Sequence, residues 1–113
     1  MKQALLAPVV LLLSAALLAS SPARAVDENA AKAVAKRNDC FKCHAIDKSK
    51  KGPSFQKIAE KYKGKPDAES KLSDQITKLH MVKLEDGTAA EHKVIDTKDP
   101  QEIKNLLDWI RAQ

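Results

Sequence analysis

The pentapeptide Cys40-Phe41-Lys42-Cys43-His44 constrains this chain more than any other feature, and it holds both of the chain's 2 cysteines. Two thiols three residues apart, followed at once by an imidazole, have the spacing used to attach haem covalently. Each thiol adds to one vinyl group, and the histidine then approaches the iron from the same side. Two other chemistries use paired cysteines. A thioredoxin-like dithiol belongs in a strand–helix context, and no βαβ pattern is visible. A zinc site would need a further ligand from His80 or His92, and structural zinc sites more often present a second close pair. The reading is therefore one haem c with its iron, bound through Cys40 and Cys43, with His44 as proximal ligand.

The N-terminus agrees with that chemistry. Lys2 gives a basic start, Ala4–Ala19 is almost wholly apolar, and Ala23-Arg24-Ala25 has the small-x-small form that a signal peptidase cuts. The apolar run is short for a spanning helix, which needs about 20 residues. Residues 1–25 thus read as a cleaved signal peptide and residues 26–113 as a single domain in the periplasm, where haem can be attached, with no stable membrane span. Its 88 residues are few for a well-buried core, and small domains need a staple. A Cys40–Cys43 disulfide would close too small a loop to restrain the unfolded chain, whereas a large apolar cofactor tied at both cysteines restrains far more. Losing Lys2 and Arg24 leaves 18 basic against 15 acidic residues, a net charge of +3. No basic stripe with interleaved aromatics points to nucleic acid.

Helical patterning fills most of the remainder. Asp27 to Asn38 reads as a first helix, capped by Asp27 and filled with small residues that let another helix approach closely. Ser54 caps a second helix with Phe55, Ile58, Ala59 and Tyr62 at helical spacing, ended by Gly64. Pro66-Asp67 opens a third, with Leu72, Ile76 and Leu79 on its apolar face. The turn signal Glu85-Asp86-Gly87-Thr88, flanked by residues 81–84 and 91–95, predicts a small hairpin. The last helix has Asp99 as N-cap, Pro100 at its first position, Glu102 completing a box-like start, and Ile103, Leu106, Leu107 and Ile110 along one face beside Trp109. The core expected from these patterns is Val34, Phe55, Ile58, Leu72, Ile76, Leu79, Ile103, Leu106, Leu107 and Ile110.

Taken together, the opening helix, Cys40–His44, the Gly52-Pro53 pair, a middle helix and a closing helix with Trp109 make residues 27–113 resemble a class I c-type cytochrome of the short bacterial kind. The resemblance implies an all-α cytochrome c fold: N- and C-terminal helices crossing, shorter helices around the haem, and here a hairpin before the last helix. It also implies that the carbonyl of Pro53 accepts the free ring N–H of His44, which fixes the tautomer and raises the ligand's basicity.

On the other side of the iron this sequence departs from the family. The usual methionine followed by proline is missing; His80, Met81 and His92 compete for the position. The family's distal ligand sits on a loop at a fairly constant distance before the aromatic of the last helix. His92 lies 17 residues before Trp109, near that distance, whereas Met81 lies 28 before it. The resemblance therefore suggests bis-histidine ligation by His44 and His92, with Met81 as the alternative and His80 read as a helix-end residue. Imidazole in place of methionine lowers the redox potential when burial is similar.

A six-coordinate haem leaves no open site for chemistry, and no acid/base or nucleophile constellation stands out, so the chain reads as an electron carrier and not an enzyme. Its expected partners are periplasmic redox proteins, steered by Lys42, Lys48, Lys50, Lys51 and Lys93, with the protein acting as a monomer or as a subunit of a larger redox complex. The competing reading is a haem-based sensor with a weak or open sixth site.

Overall fold

The computed structural model describes residues 25–113, so the signal segment, apart from Ala25, lies outside the described residues. The order of elements is α1 (Glu28–Arg37), α2 (Cys40–Cys43), α3 (Phe55–Tyr62), α4 (Ala68–Thr77), β1 (Met81–Lys83), β2 (Ala89–Glu91) and α5 (Pro100–Arg111). This is the mostly helical architecture with one small hairpin that the patterning predicts. Among the described residues no helix is long and apolar enough to cross a membrane.

The helix starts follow the sequence closely. Asp27 accepts the N–H of Ala30, Ser54 Oγ that of Lys57, and Asp99 that of Gln101, each satisfying a donor that the first helical turn leaves orphaned. Glu102 does not close a capping box; its carboxylate lies against Arg37 Nη2 at 3.2 Å, which joins α5 to the end of α1.

The two terminal helices pack on each other through small residues. Ala31 and Ala35 of α1 are fully buried, and Leu106 and Leu107 of α5 are almost as inaccessible. Helix α5 also carries Trp109 into an aromatic cluster, edge-on to Phe55 at 5.2 Å and to Phe41 at 6.2 Å. Edge-to-face geometry places the positive ring edge on the negative face of its neighbour. The core therefore links α1, α3 and α5 to Phe41, inside the cysteine pair.

Most of the expected core is buried or packed against it, but Leu79 is not: it is 69% exposed. Helix α4 ends at Thr77 and Lys78 is already extended, so the helical spacing that placed Leu79 with Leu72 and Ile76 no longer applies there. Ile95 takes up part of that core, with its N–H on the carbonyl of Ile76 at 2.9 Å.

Candidate functional site

Asp39, with φ 60, turns the chain between α1 and α2, and one turn of helix then carries both cysteines. His44 leaves that turn in an extended conformation, its N–H on the carbonyl of Cys40 at 2.9 Å. Cys40 and Cys43 are both free and half-buried. Burial pushes the Cys40 thiol up from its ordinary value, the opposite of the lowered pKa that a reactive dithiol of the thioredoxin type needs.

The loop after His44 folds back to hold its ring. The N–H of Gly52 meets the carbonyl of Cys43 at 2.9 Å, and this close return brings the next carbonyl, that of Pro53, within 2.6 Å of His44 Nδ1. The ring donates Nδ1–H there, which leaves Nε2 as its free ligating atom. Gly52 makes the approach feasible: a Cβ on it would lie 2.9 Å from His44 Cε1 and 3.2 Å from Nδ1.

The hairpin supplies the facing side. Its turn has Gly87 at φ 86, and Asp86 Oδ1 accepts both the N–H and the hydroxyl of Thr88. Strand pairing runs Lys83↔Ala89, Val82↔Ala90, Met81↔Glu91, and His92 N–H to His80 carbonyl at 2.9 Å carries the same register one pair further. Side chains alternate across a strand. His80, Val82, Ala90 and His92 are the partly covered set, whereas Met81, Lys83, Ala89 and Glu91 are exposed. Met81, at 63% exposure, is thus on the opposite face from His92.

His92 lies with its ring centre 6.2 Å from that of His44, the two planes at 50°. Its Nδ1 bonds the carbonyl of Lys93 at 3.0 Å. Burial lowers its pKa, partly offset by that carbonyl, and the nearby His44 and His80 lower it further. His80 stacks on His92 at 5.2 Å and 20°.

The structure thus brings together Cys40, Cys43, His44, Pro53 and His92, and sets Met81 apart from them. Sequence reasoning passed over the closeness of Gly52 to the ring and the pair Asn38 and Asp96 that anchors the segment after His92, and it read His80 as a helix-end residue where the structure stacks it on His92. That pairing was legible in part, because His80 and His92 stand at equal distances on either side of Asp86 in the turn.

Comparison with known proteins adds the family. The cytochrome c family pattern matches residues 28–113. No curated protein matches the chain. Among solved structures, the class 1 cytochrome MtoD from Sideroxydans lithotrophicus ES-1 is 54% identical, with a TM-score of 0.74 over 78% of this chain and 97% of that one. Wild-type cytochrome c552 from Nitrosomonas europaea is 27% identical, with a TM-score of 0.57 over 72% of this chain and 96% of that one. Its N64Del mutant gives 28% and 0.58. The half-buried thiol pair, the singly held imidazole beside it and the aromatic wall suit covalently bound haem, and with these matches the chain belongs to the cytochrome c family, as a class I c-type cytochrome that carries haem c on Cys40 and Cys43.

Proposed function

We propose that this protein is a periplasmic one-electron carrier, six-coordinate through His44 and His92, that passes electrons between other redox proteins. The haem supplies the one-electron couple; the chain's own residues set its ligands, its access to water and its approach by partners.

The 6.2 Å between the two ring centres carries the ligand assignment. An imidazole nitrogen lies about 1.1–1.2 Å from its ring centre and bonds a metal at about 2.0 Å, so two imidazoles sharing one metal set their centres roughly 6.3 Å apart. Each ring has Nδ1 on a carbonyl, which is the usual arrangement at a metal ligated through Nε2. Met81 would have to cross to the other face of the hairpin to compete. An imidazole pair favours ferric iron over a histidine–methionine pair, so the expected potential is low for the fold.

Periplasmic placement rests on the basic, apolar and Ala-Arg-Ala segments of residues 1–25 and on the attachment chemistry of the cysteines. Lys42, Lys48, Lys51 and Lys93 are exposed, Lys42 pairing with Asp39 three residues before it, so they are open to an acidic partner. Lys50 instead donates to the Phe41 carbonyl at 2.6 Å. Reduction by such a partner slows as salt rises if steering operates.

The deciding experiment is the ferric optical and EPR spectrum of His92→Ala beside Met81→Leu. The expected result is loss of the low-spin signal, with rapid carbon monoxide binding once reduced, in the first variant only. A low-spin spectrum unchanged by His92→Ala overturns the ligand assignment, and rapid carbon monoxide binding by the unaltered protein at neutral pH favours a sensor.

A further inference from the structure

We propose that His80 is a positioning residue that sets the rotational orientation of the His92 imidazole, with Gln75 as its brace. The inference rests on the reading of His92 as a ligand.

The two rings are held differently. His92 has one well-formed ring bond, its own Nδ1 on the adjacent Lys93 carbonyl at 3.0 Å, with the backbone carbonyl of Gln75 as a weaker second contact. A bond to the adjacent carbonyl fixes the tautomer, and neither it nor the weaker contact stops the ring from rocking about its ligating axis. His80 is anchored at both nitrogens: Nδ1–H donates to the Lys78 carbonyl at 2.9 Å, and Nε2 lies 2.8 Å from the Gln75 side-chain amide, whose NH2, once turned to the ring, donates to it. Gln75 is on α4 and Lys78 caps its end, so His80 is tied to a helix on one side while standing on the hairpin on the other.

Register then brings the fixed ring to the freer one. His80 and His92 are directly opposed, where side chains on one face are closest, and the His92 N–H to His80 carbonyl bond at 2.9 Å locks that opposition. Their planes differ by only 20° at 5.2 Å, so the His80 ring, held at both nitrogens, presents a flat wall to the face of His92. Rotation of His92 out of its plane would drive its edge into that wall. The angle between His92 and His44, 50° here, is therefore held from outside the ligand pair. In low-spin ferric iron that angle governs how the two imidazoles split the iron d orbitals, and an outer partner that orients a ligand tunes the metal through it.

The test is ferric EPR on the full haem-loaded protein, comparing unaltered protein with His80→Ala, His80→Phe and Gln75→Ala. His80→Ala removes the wall and is expected to stay six-coordinate and low-spin while its largest g-value shifts and broadens. His80→Phe keeps a flat face without ring nitrogens and is expected to return the g-value most of the way. Gln75→Ala, which leaves both rings but removes the brace, is expected to shift it part of the way. Unchanged g-values in His80→Ala, or high-spin iron in His80→Phe, overturn the proposal. A low-spin spectrum that survives His92→Ala overturns instead the ligand reading beneath it, so the two failures are distinct.

Discussion

Asn38 and Asp96 share a reciprocal pair of hydrogen bonds across 58 residues of sequence: Asp96 N–H donates to Asn38 Oδ1 at 2.9 Å, and Asn38 Nδ2 donates to Asp96 Oδ1 at 3.0 Å. The same Nδ2 also reaches the Val34 carbonyl at 2.9 Å, and Asn38 is 1% exposed. Arg37 Nε holds Asp96 from the outside at 3.0 Å. These bonds fasten the segment that follows His92 to the end of α1, just before the cysteine pair. They fix the distance between the two sides of the haem site from behind.

Asn38→Ala is expected to destabilise the folded protein by about 2–3 kcal/mol, because it strands a backbone N–H and opens a small void. The midpoint of urea unfolding, with unchanged slope, reads this directly. Asn38→Asp is expected to be as costly or worse, since it sets two carboxylates against each other at the same place.

The same contact makes stability depend on acid. Hydrogen bonding from Asn38, followed by that from Arg37, holds the Asp96 carboxyl below its ordinary value of 3.8. A carboxyl depressed by folding contributes its full stabilisation above the unfolded value and loses it as pH falls through the folded one. Stability should therefore decline below about pH 4. Asp96→Asn should start lower at neutral pH and decline less steeply. Unfolding midpoints taken from neutral pH downward test this; parallel curves for the two proteins would refute it. Asp67 and Asp86, lowered by Lys71 and by Thr88 respectively, leave a residual acid slope in both.

Gly52→Ala is expected to disturb the proximal ligand without touching the haem attachment. The added Cβ meets His44 Cε1 at 2.9 Å and has the Cys43 carbonyl at 3.5 Å, so the ring must tilt or the loop must retreat from it. Either response lengthens the 2.6 Å bond to Pro53. Overpacking of this kind costs about 1–3 kcal/mol. The check is a shifted ferric EPR spectrum together with a lowered unfolding midpoint; a variant identical to the unaltered protein in both would remove the steric argument.

Ala35→Leu tests the helix crossing. Ala35 is fully buried where α1 meets α5, and a larger side chain has no free volume to enter. A loss of about 1–3 kcal/mol is expected, seen alike in the haem environment and in the helical signal. Thermal unfolding followed in the haem band and by circular dichroism measures both.

The attachment motif, the caps of α1, α3 and α5, the turn at Asp86-Gly87 and the apolar face of α5 were all legible in the sequence, because each depends on residues within a few positions of one another. Cys40, Cys43 and His44 need one helical turn; Asp27, Ser54 and Asp99 need only the N–H groups two or three residues ahead. Leu79 was misplaced because helical periodicity says where a face points but not where α4 stops. What only the tertiary structure decided is which side chains meet across the site. The pleat of the hairpin turns Met81 outward and His92 inward, and its register sets His80 against His92. The Asn38–Asp96 contact, together with Ile95 on Ile76, then places that face 6.2 Å from the ring that the Gly52-Pro53 return holds. Those relations join residues tens of positions apart, and long-range packing, not local propensity, determines them.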